Sequence, residues 1–344
     1  AKKATFEQCT MRNIETDSVN SFHVDMLFIY KCSFDHITSA NYLESFGSTV
    51  FENSEIKNCS GSSFLLQSSD FIERELIVSN MTIGHSNYNT ILTGSANVEI
   101  TNVFMENSEF YLLDLIDSGG SLSDITFNDV TPPPLLNTTT DRAQIEIMGK
   151  SDKTFTIQNL LFQQPTMVKS YITLPTKLFS LNGFQTVSVV NVTINEAKVA
   201  ECGDFGTYAS IIQLFLNDIS VANSSVFVYL FLLQPESSAE VSNIHISDSV
   251  ISPAPLASLI GFVGVELTDI DALSPLVATI RNCALSNSFL QYGAIDCDLT
   301  IGHFTHPISR SCTKSLLYQT VTVFNSRHCQ CFNREKQRRA AFCA

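Results

Sequence analysis

Paired carboxylates, histidines at metal-ligand spacing and reactive cysteines are the residues from which a catalytic centre would be assembled. In this chain Asp269 and Asp271, and again Asp296 and Asp298, lie two residues apart. On a strand that spacing sets both carboxylates on one face. One of them could then protonate a leaving group while the other activates a nucleophile, as in glycosidic bond cleavage. The formal net charge is −14, and single acidic pairs in so acidic a chain read as solvated surface. No Asp-Asp dipeptide occurs anywhere. The seven His are scattered without metal-ligand spacing. There is no glycine loop to cradle phosphate and no nucleophile elbow. The expectation is a protein that is not an enzyme and has no catalytic, metal or cofactor site.

Other residues point to modification and assembly. Cys9, Cys32 and Cys283 recur at one position of a repeated phrase and Cys59 follows another copy, which reads as a stack of buried thiols. A bond between Cys9 and Cys32 is left open. Cys297, Cys312, Cys329, Cys331 and Cys343 crowd the end of the chain, where the repeat fails. They are the disulfide candidates of a stapled C-terminal cap, and they imply an oxidising compartment. Five Asn-X-Ser/Thr sequons occur, at Asn58, Asn80, Asn137, Asn191 and Asn223. Asn137, Asn58 and Asn223 are the expected glycosylation sites, whereas Asn80 and Asn191 are expected to be hidden inside a corner ladder. From Arg310 onward there are seven Lys and Arg and one Glu, a net of +6 that leaves −20 on the rest of the chain. Arg334, Lys336, Arg338 and Arg339 of this tail are the expected assembly contacts on a neighbouring copy.

A phrase that repeats must position all of these. Its clearest copy is Ile100-Thr101-Asn102-Val103-Phe104-Met105-Glu106-Asn107. Copies begin at Phe6, Ile29, Phe51, Val78, Ile100 and Leu122, at intervals of 23, 22, 27, 22 and 22 residues, and continue at Ile157, Val189, Leu216, Val241, Ile280 and Tyr318. A period of this size marks a stacked-repeat fold. The first, fourth and sixth positions are apolar. The fourth and sixth alternate as on a half-buried strand, and the first is out of phase, so the chain must bend at the third position. Asn or Asp there tolerates the left-handed backbone region. A second Asn-like residue at the eighth position marks the next corner, and His36 and His85 read as its substitutes. A leucine-rich repeat fits worse, because its Leu frame precedes the Asn differently. The expected fold is all-β: a right-handed parallel β-helix of roughly twelve rungs with Asn-rich corners and a Cys-rich C-terminal cap. Residues 1–326 would form the helix and 327–344 a basic tail. The 25 Phe would stack in its core. The interval lengthens to 35 residues between Leu122 and Ile157, and the insertion there, which carries Thr131-Pro-Pro-Pro134 and Asn137-Thr-Thr-Thr, must leave the sheet because Pro cannot donate to the ladder; the stretches Gln164 to Lys177 and Glu201 to Tyr208 read as loops. Gly302-His303 reads as a corner.

With its Asn-rich corners the chain resembles the pectin-lyase-like right-handed β-helix family, and in flavour the β-helical ectodomains of large surface proteins of ciliate-like protists. The resemblance implies the fold more than the function, since that fold hosts lyases, hydrolases, adhesins and inert fibres. Galacturonase-like signatures (Asn-Thr-Asp, Asp-Asp, Gly-His-Gly, Arg-Ile-Lys) are absent.

Acidity argues against a nucleic-acid partner. The longest apolar run, Val226 to Leu233, is too short to span a membrane. The chain has no starting Met and reads as a processed product or a piece of something longer. The expected function is a structural or adhesive extracellular or cell-surface protein that self-associates, head-to-tail or laterally, into a coat or filament, with glycans as a second partner class. The alternative is a carbohydrate-binding or polysaccharide-degrading β-helix.

Overall fold

The computed structural model describes residues 2–17, 19–67, 74–131, 133, 142–163, 176–206, 209, 211–251, 258–263, 277–290, 295–299, 302–304 and 316–324. Among them there is no helix. The strands join into one continuous hydrogen-bonded system in which nearly every pairing is parallel, the arrangement of a β-solenoid. One ladder runs from Lys3–Glu7 through Met26–Tyr30, Ser48–Glu52 and Glu75–Gly84 to Asn97–Thr131. That long strand wraps past a full turn, since Ser123 Oγ donates to Thr101 Oγ1 at 3.0 Å. The ladder continues through Thr154–Gln163, Thr186–Asn195, Ile211–Ala222 and Pro235–Ser247 to Val277–Ser286. A further parallel ladder on the same turns includes Ser60–Gln67, Asn87–Gly94, Arg142–Gly149, Thr176–Asn182, Lys198–Phe205 and Ser225–Leu233.

The corners account for the coil. The non-glycine residues with positive φ all lie between 45° and 56°. Apart from Asp117, each one falls on the third or the eighth position of a phrase. Gln8, Lys31, Asn53, Asn80, Asn102, Asp124, Asn159, Asn191, Asp218, Asn243 and Asn282 hold the third; the eighth includes Asn13, His36, Asn58, His85, Asn107, Asp129, Asn223 and Asn287. For the described third and eighth positions of the phrases from Phe6 to Ile280, expected and observed corners therefore coincide, His36 and His85 included. After the first rung, the residue following each corner is buried wherever its burial is described. The left-handed residue thus reverses the strand's phase and sends the next side chain into the core.

The direction of the corner side chains corrects the sequence reading. The corner ladder expected to hide Asn80 and Asn191 faces outward, and Asn102 shows it. It is exposed, and its Nδ2 donates to Asn80 Oδ1 at 2.6 Å. Asn80 donates in turn to Asn53, Asn159 to Asp124, and Asn191 to Asn159. The ladder is real but runs along the outside, because a left-handed residue at a convex bend turns its Cα–Cβ bond away from the axis.

Inside the corners lies a second ladder that the phrase did not disclose. Ser54, Ser86, Ser108, Ser224, Ser249 and Ser288 each follow a left-handed residue and are buried. Ser224 Oγ accepts the Ala197 amide at 3.0 Å and donates to the Ala222 carbonyl at 2.7 Å. Ser249 and Ser288 repeat the pattern on the next rungs. Each hydroxyl satisfies an amide that the corner lifts out of the sheet, which is what burial requires. Aliphatic and aromatic side chains fill the remainder of the core, with Phe127 and Phe162 stacked at 4.4 Å and Phe34 against Phe64 edge to face at 5.1 Å. Cys9, Cys32 and Cys59 are free thiols, the last two buried, as is Cys202.

Several expectations are displaced. The phrase at Tyr318 is not a rung, because Leu316–Phe324 runs antiparallel to Val277–Ser286 and ends the parallel stack. The stack therefore falls short of the roughly twelve rungs expected. Gly302-His303 is not a corner but part of a strand, Gly302–Phe304, antiparallel to Ile295–Leu299. Glu201–Phe205 and Thr176-Lys177 are strand rather than loop. Gly203 lies within the first of these strands, where its missing Cβ makes room for the Phe205 ring, which would approach an added Cβ to 2.4 Å.

Asn102→Val should cost about 1–2 kcal/mol, since a β-branched residue is strained at this positive φ. Asn102→Gly should cost less despite losing the amide contact. Thermal melts of the two variants in parallel check this, and equal losses would show that the exposed amide, not the backbone, sets the corner's stability.

Candidate functional site

Neighbouring rungs bring together residues that the sequence scatters. Lys177 opens the Thr176–Asn182 strand, and register sets it against Glu201 on Lys198–Phe205. Lys177 Nζ lies 2.6 Å from Asp204 Oδ2 and 3.3 Å from Glu201 Oε2. The side chains of Lys177, Glu201 and Asp204 are 6, 8 and 0 % exposed. One cation and two carboxylates thus share a space removed from water.

The surroundings are a mixture of apolar and polar groups. Leu178, Phe179, Leu181, Cys202 and Phe205 are buried beside the cluster in sequence. Burial, and then the Glu201 charge, push the Cys202 thiol well above its ordinary range, so it stays protonated and inert. Ser180 and Asn182 are buried as well, with Asn182 Nδ2 donating to Ser180 Oγ at 3.2 Å. On the preceding strand Ala143 is the register partner of Lys177, and the next residue, Gln144, is buried with neither amide atom hydrogen-bonded. Asp114, Glu146, Ser180 and Asp204 occupy one register column across four strands.

This cluster was not foreseen. Glu201 and Lys177 lay within presumed loops, and no short-range spacing links residues 27 apart. The available signal was the pair Lys177 and Glu201 flanking apolar strand segments, which acquires meaning only once the register is known.

The anticipated site residues are more dispersed. Asn58 and Asn223 stand exposed at eighth-position corners. Asn58 donates to Asp35 at 3.0 Å; that contact first, then the His36 and Arg12 neighbours, holds the Asp35 carboxyl below its ordinary value. Asn80 and Asn191, expected to be hidden, are exposed as well. Asn137 lies outside the described residues. Cys297 lies in the strand Ile295–Leu299, paired in register with Phe262 and Phe304. Cys312, Cys329, Cys331 and Cys343 lie outside the described residues, as do Arg334, Lys336, Arg338 and Arg339. Asp296 and Asp298 share that same strand, while Asp269 and Asp271 lie outside the description. Among the described residues no group of three or more His, Cys, Asp and Glu could hold a metal ion, and no helix is long and apolar enough to cross a membrane.

Fold and site together define a parallel β-solenoid with amide-lined outer corners and a buried Lys–Asp–Glu cluster between two rungs. Comparison with protein-family models, with characterised proteins and with solved structures returns no match.

Lys177→Met should destabilise the fold by on the order of 3–5 kcal/mol, because two buried carboxylates lose their cation. Denaturant unfolding followed by circular dichroism measures it. A loss below about 1 kcal/mol would mean that water or another cation reaches the carboxylates.

Proposed function

We propose that the protein is a non-enzymatic structural or adhesive subunit of an extracellular or cell-surface coat or filament, assembling with copies of itself. In finer detail, the proposal places it with pectin-lyase-like β-helices of the kind found in large protist surface proteins. The observation that carries it is the uneven charge of the chain. The region proposed to dock on the body of a second copy is the C-terminal region. Its +6 charge complements the −20 of the body, and a heterologous contact that does not close gives a filament.

The regular, polar exterior fits this role, since exposed amide corners spaced by one rung offer repeated hydrogen-bonding groups to a lateral neighbour or a glycan. A carbohydrate-cleaving role draws on the column of Asp114, Glu146 and Asp204. Against it, Asp204 is fully buried and engaged by Lys177, so it is not placed to meet a polymer.

Removal of residues 327–344 should abolish assemblies that the full chain forms at low salt. High salt should weaken the same assemblies, since screening shortens to about 3 Å at 1 M. Light scattering at high protein concentration checks both, and a full-length protein that is already monomeric at low salt defeats the proposal. Passage through a secretory pathway should leave glycans on Asn137, Asn58 and Asn223. Glycopeptide mass spectrometry reads the occupancy, and bare sequons on protein secreted by a glycosylating host would count against the extracellular assignment.

A further inference from the structure

We infer that Lys177 and Asp204 condense into an intramolecular amide, with Glu201 relaying the protons, so that two rungs of the solenoid become covalently joined. Four observations lead there. The first is distance. A nitrogen 2.6 Å from a carboxyl oxygen lies roughly 3–3.5 Å from the carboxyl carbon, the separation from which attack proceeds. The second is preorganisation. Both residues sit on strands held in parallel register, Lys177 opposite Glu201 and Ser180 opposite Asp204, so the entropy of bringing them together is already met by the fold. The third is burial. Side-chain exposures of 6 and 0 % deny both groups the water that solvates ions. The fourth is the second carboxylate. Glu201 Oε2 lies 3.3 Å from the same nitrogen, within reach for proton transfer.

The step balances within the cluster. A proton passes from the Lys177 ammonium to the Asp204 carboxylate, leaving an amine and an acid. The Nζ lone pair attacks Asp204 Cγ and forms the C–N bond. Glu201 accepts a proton from Nζ and returns it to the Asp204 hydroxyl, the C–O bond breaks, and one water leaves. Nothing is oxidised or reduced, and no co-reactant is needed. Asp204 is the acceptor rather than Glu201 because it is closer to the amine and wholly buried.

The product clamps adjacent rungs. In a solenoid each rung touches only its neighbours, so the fold can part at any one interface. An amide across the interface closes a loop from residue 177 to residue 204 and is indifferent to reducing agents, unlike a disulfide.

Full-length protein made in a host that does not glycosylate, kept folded and then denatured for mass spectrometry, tests this. The intact chain should be lighter than its sequence by one water. Tryptic digestion should fail after Lys177 and yield the peptide containing it joined to the peptide containing Asp204. Lys177→Arg and Asp204→Ala should give unlinked chains of sequence mass. Glu201→Gln should slow linkage by on the order of a hundredfold while circular dichroism remains that of a folded β protein. Folded wild-type protein that yields only unlinked peptides overturns the inference and leaves the cluster an ion pair. A link to Glu201 instead of Asp204 overturns the assigned roles, as does a Glu201→Gln variant that links at the wild-type rate.

Discussion

The whole structure depends on a residue that can hold φ near +50° without a glycine's loss of side chain. Parallel rungs coil only if the chain turns sharply at the same place on every pass. At each such place the backbone enters the left-handed region, at a cost that Asn and Asp bear best among side chains. The eleven third positions found among the described residues, with their eighth-position companions, are therefore the hinge of the architecture. Lys31, His36 and Glu196 show that other residues are accepted where the strands on either side are well packed.

A corner also breaks the sheet's own hydrogen bonding, and the buried serines answer that problem. Placed one residue after the left-handed position, a serine is short enough to accept an amide from the previous rung and donate to a carbonyl two residues back. Where the serine is replaced by Cys59, Val130 or Ala197, the side chain still points inward and adds to the apolar core. Polar satisfaction and hydrophobic packing are thus alternatives at one position, and the choice varies rung by rung.

Lys177, Glu201 and Asp204 are the charged residues in an interior that, among the described residues, otherwise holds apolar groups, hydroxyls and a few amides. Three ionisable side chains between two rungs are costly to bury and, once buried, costly to separate. Such an arrangement resists exchange with solvent and concentrates reactivity at a single interface of the stack. For a protein whose proposed work is to bear load or hold a surface, that is where a covalent tie between rungs would matter most. The outer corners carry the complementary property, a row of exposed amides already engaged with one another and available to outside partners only at their free faces.

Much of this architecture was legible in the chain alone. The phrase from Ile100 to Asn107 contained both corners, the inward positions between them and the rung period, because backbone strain at a corner restricts residue type locally. Even His36 and His85 could be placed. The sequence by itself did not decide which way Asn102 points, since the convexity of a bend belongs to the coiled chain and not to the residue. Nor did it decide that Tyr318 begins an antiparallel strand, because an alternating pattern suits either direction of pairing. The Lys177 cluster was hidden for a similar reason. Its members lie 24 and 27 residues apart, and only the register between Thr176–Asn182 and Lys198–Phe205 brings one ammonium within 3.3 Å of one carboxylate and 2.6 Å of another. Local conformational preference wrote the corners into the sequence, whereas the meeting of distant charges was decided by rung stacking, which exists only in the folded molecule.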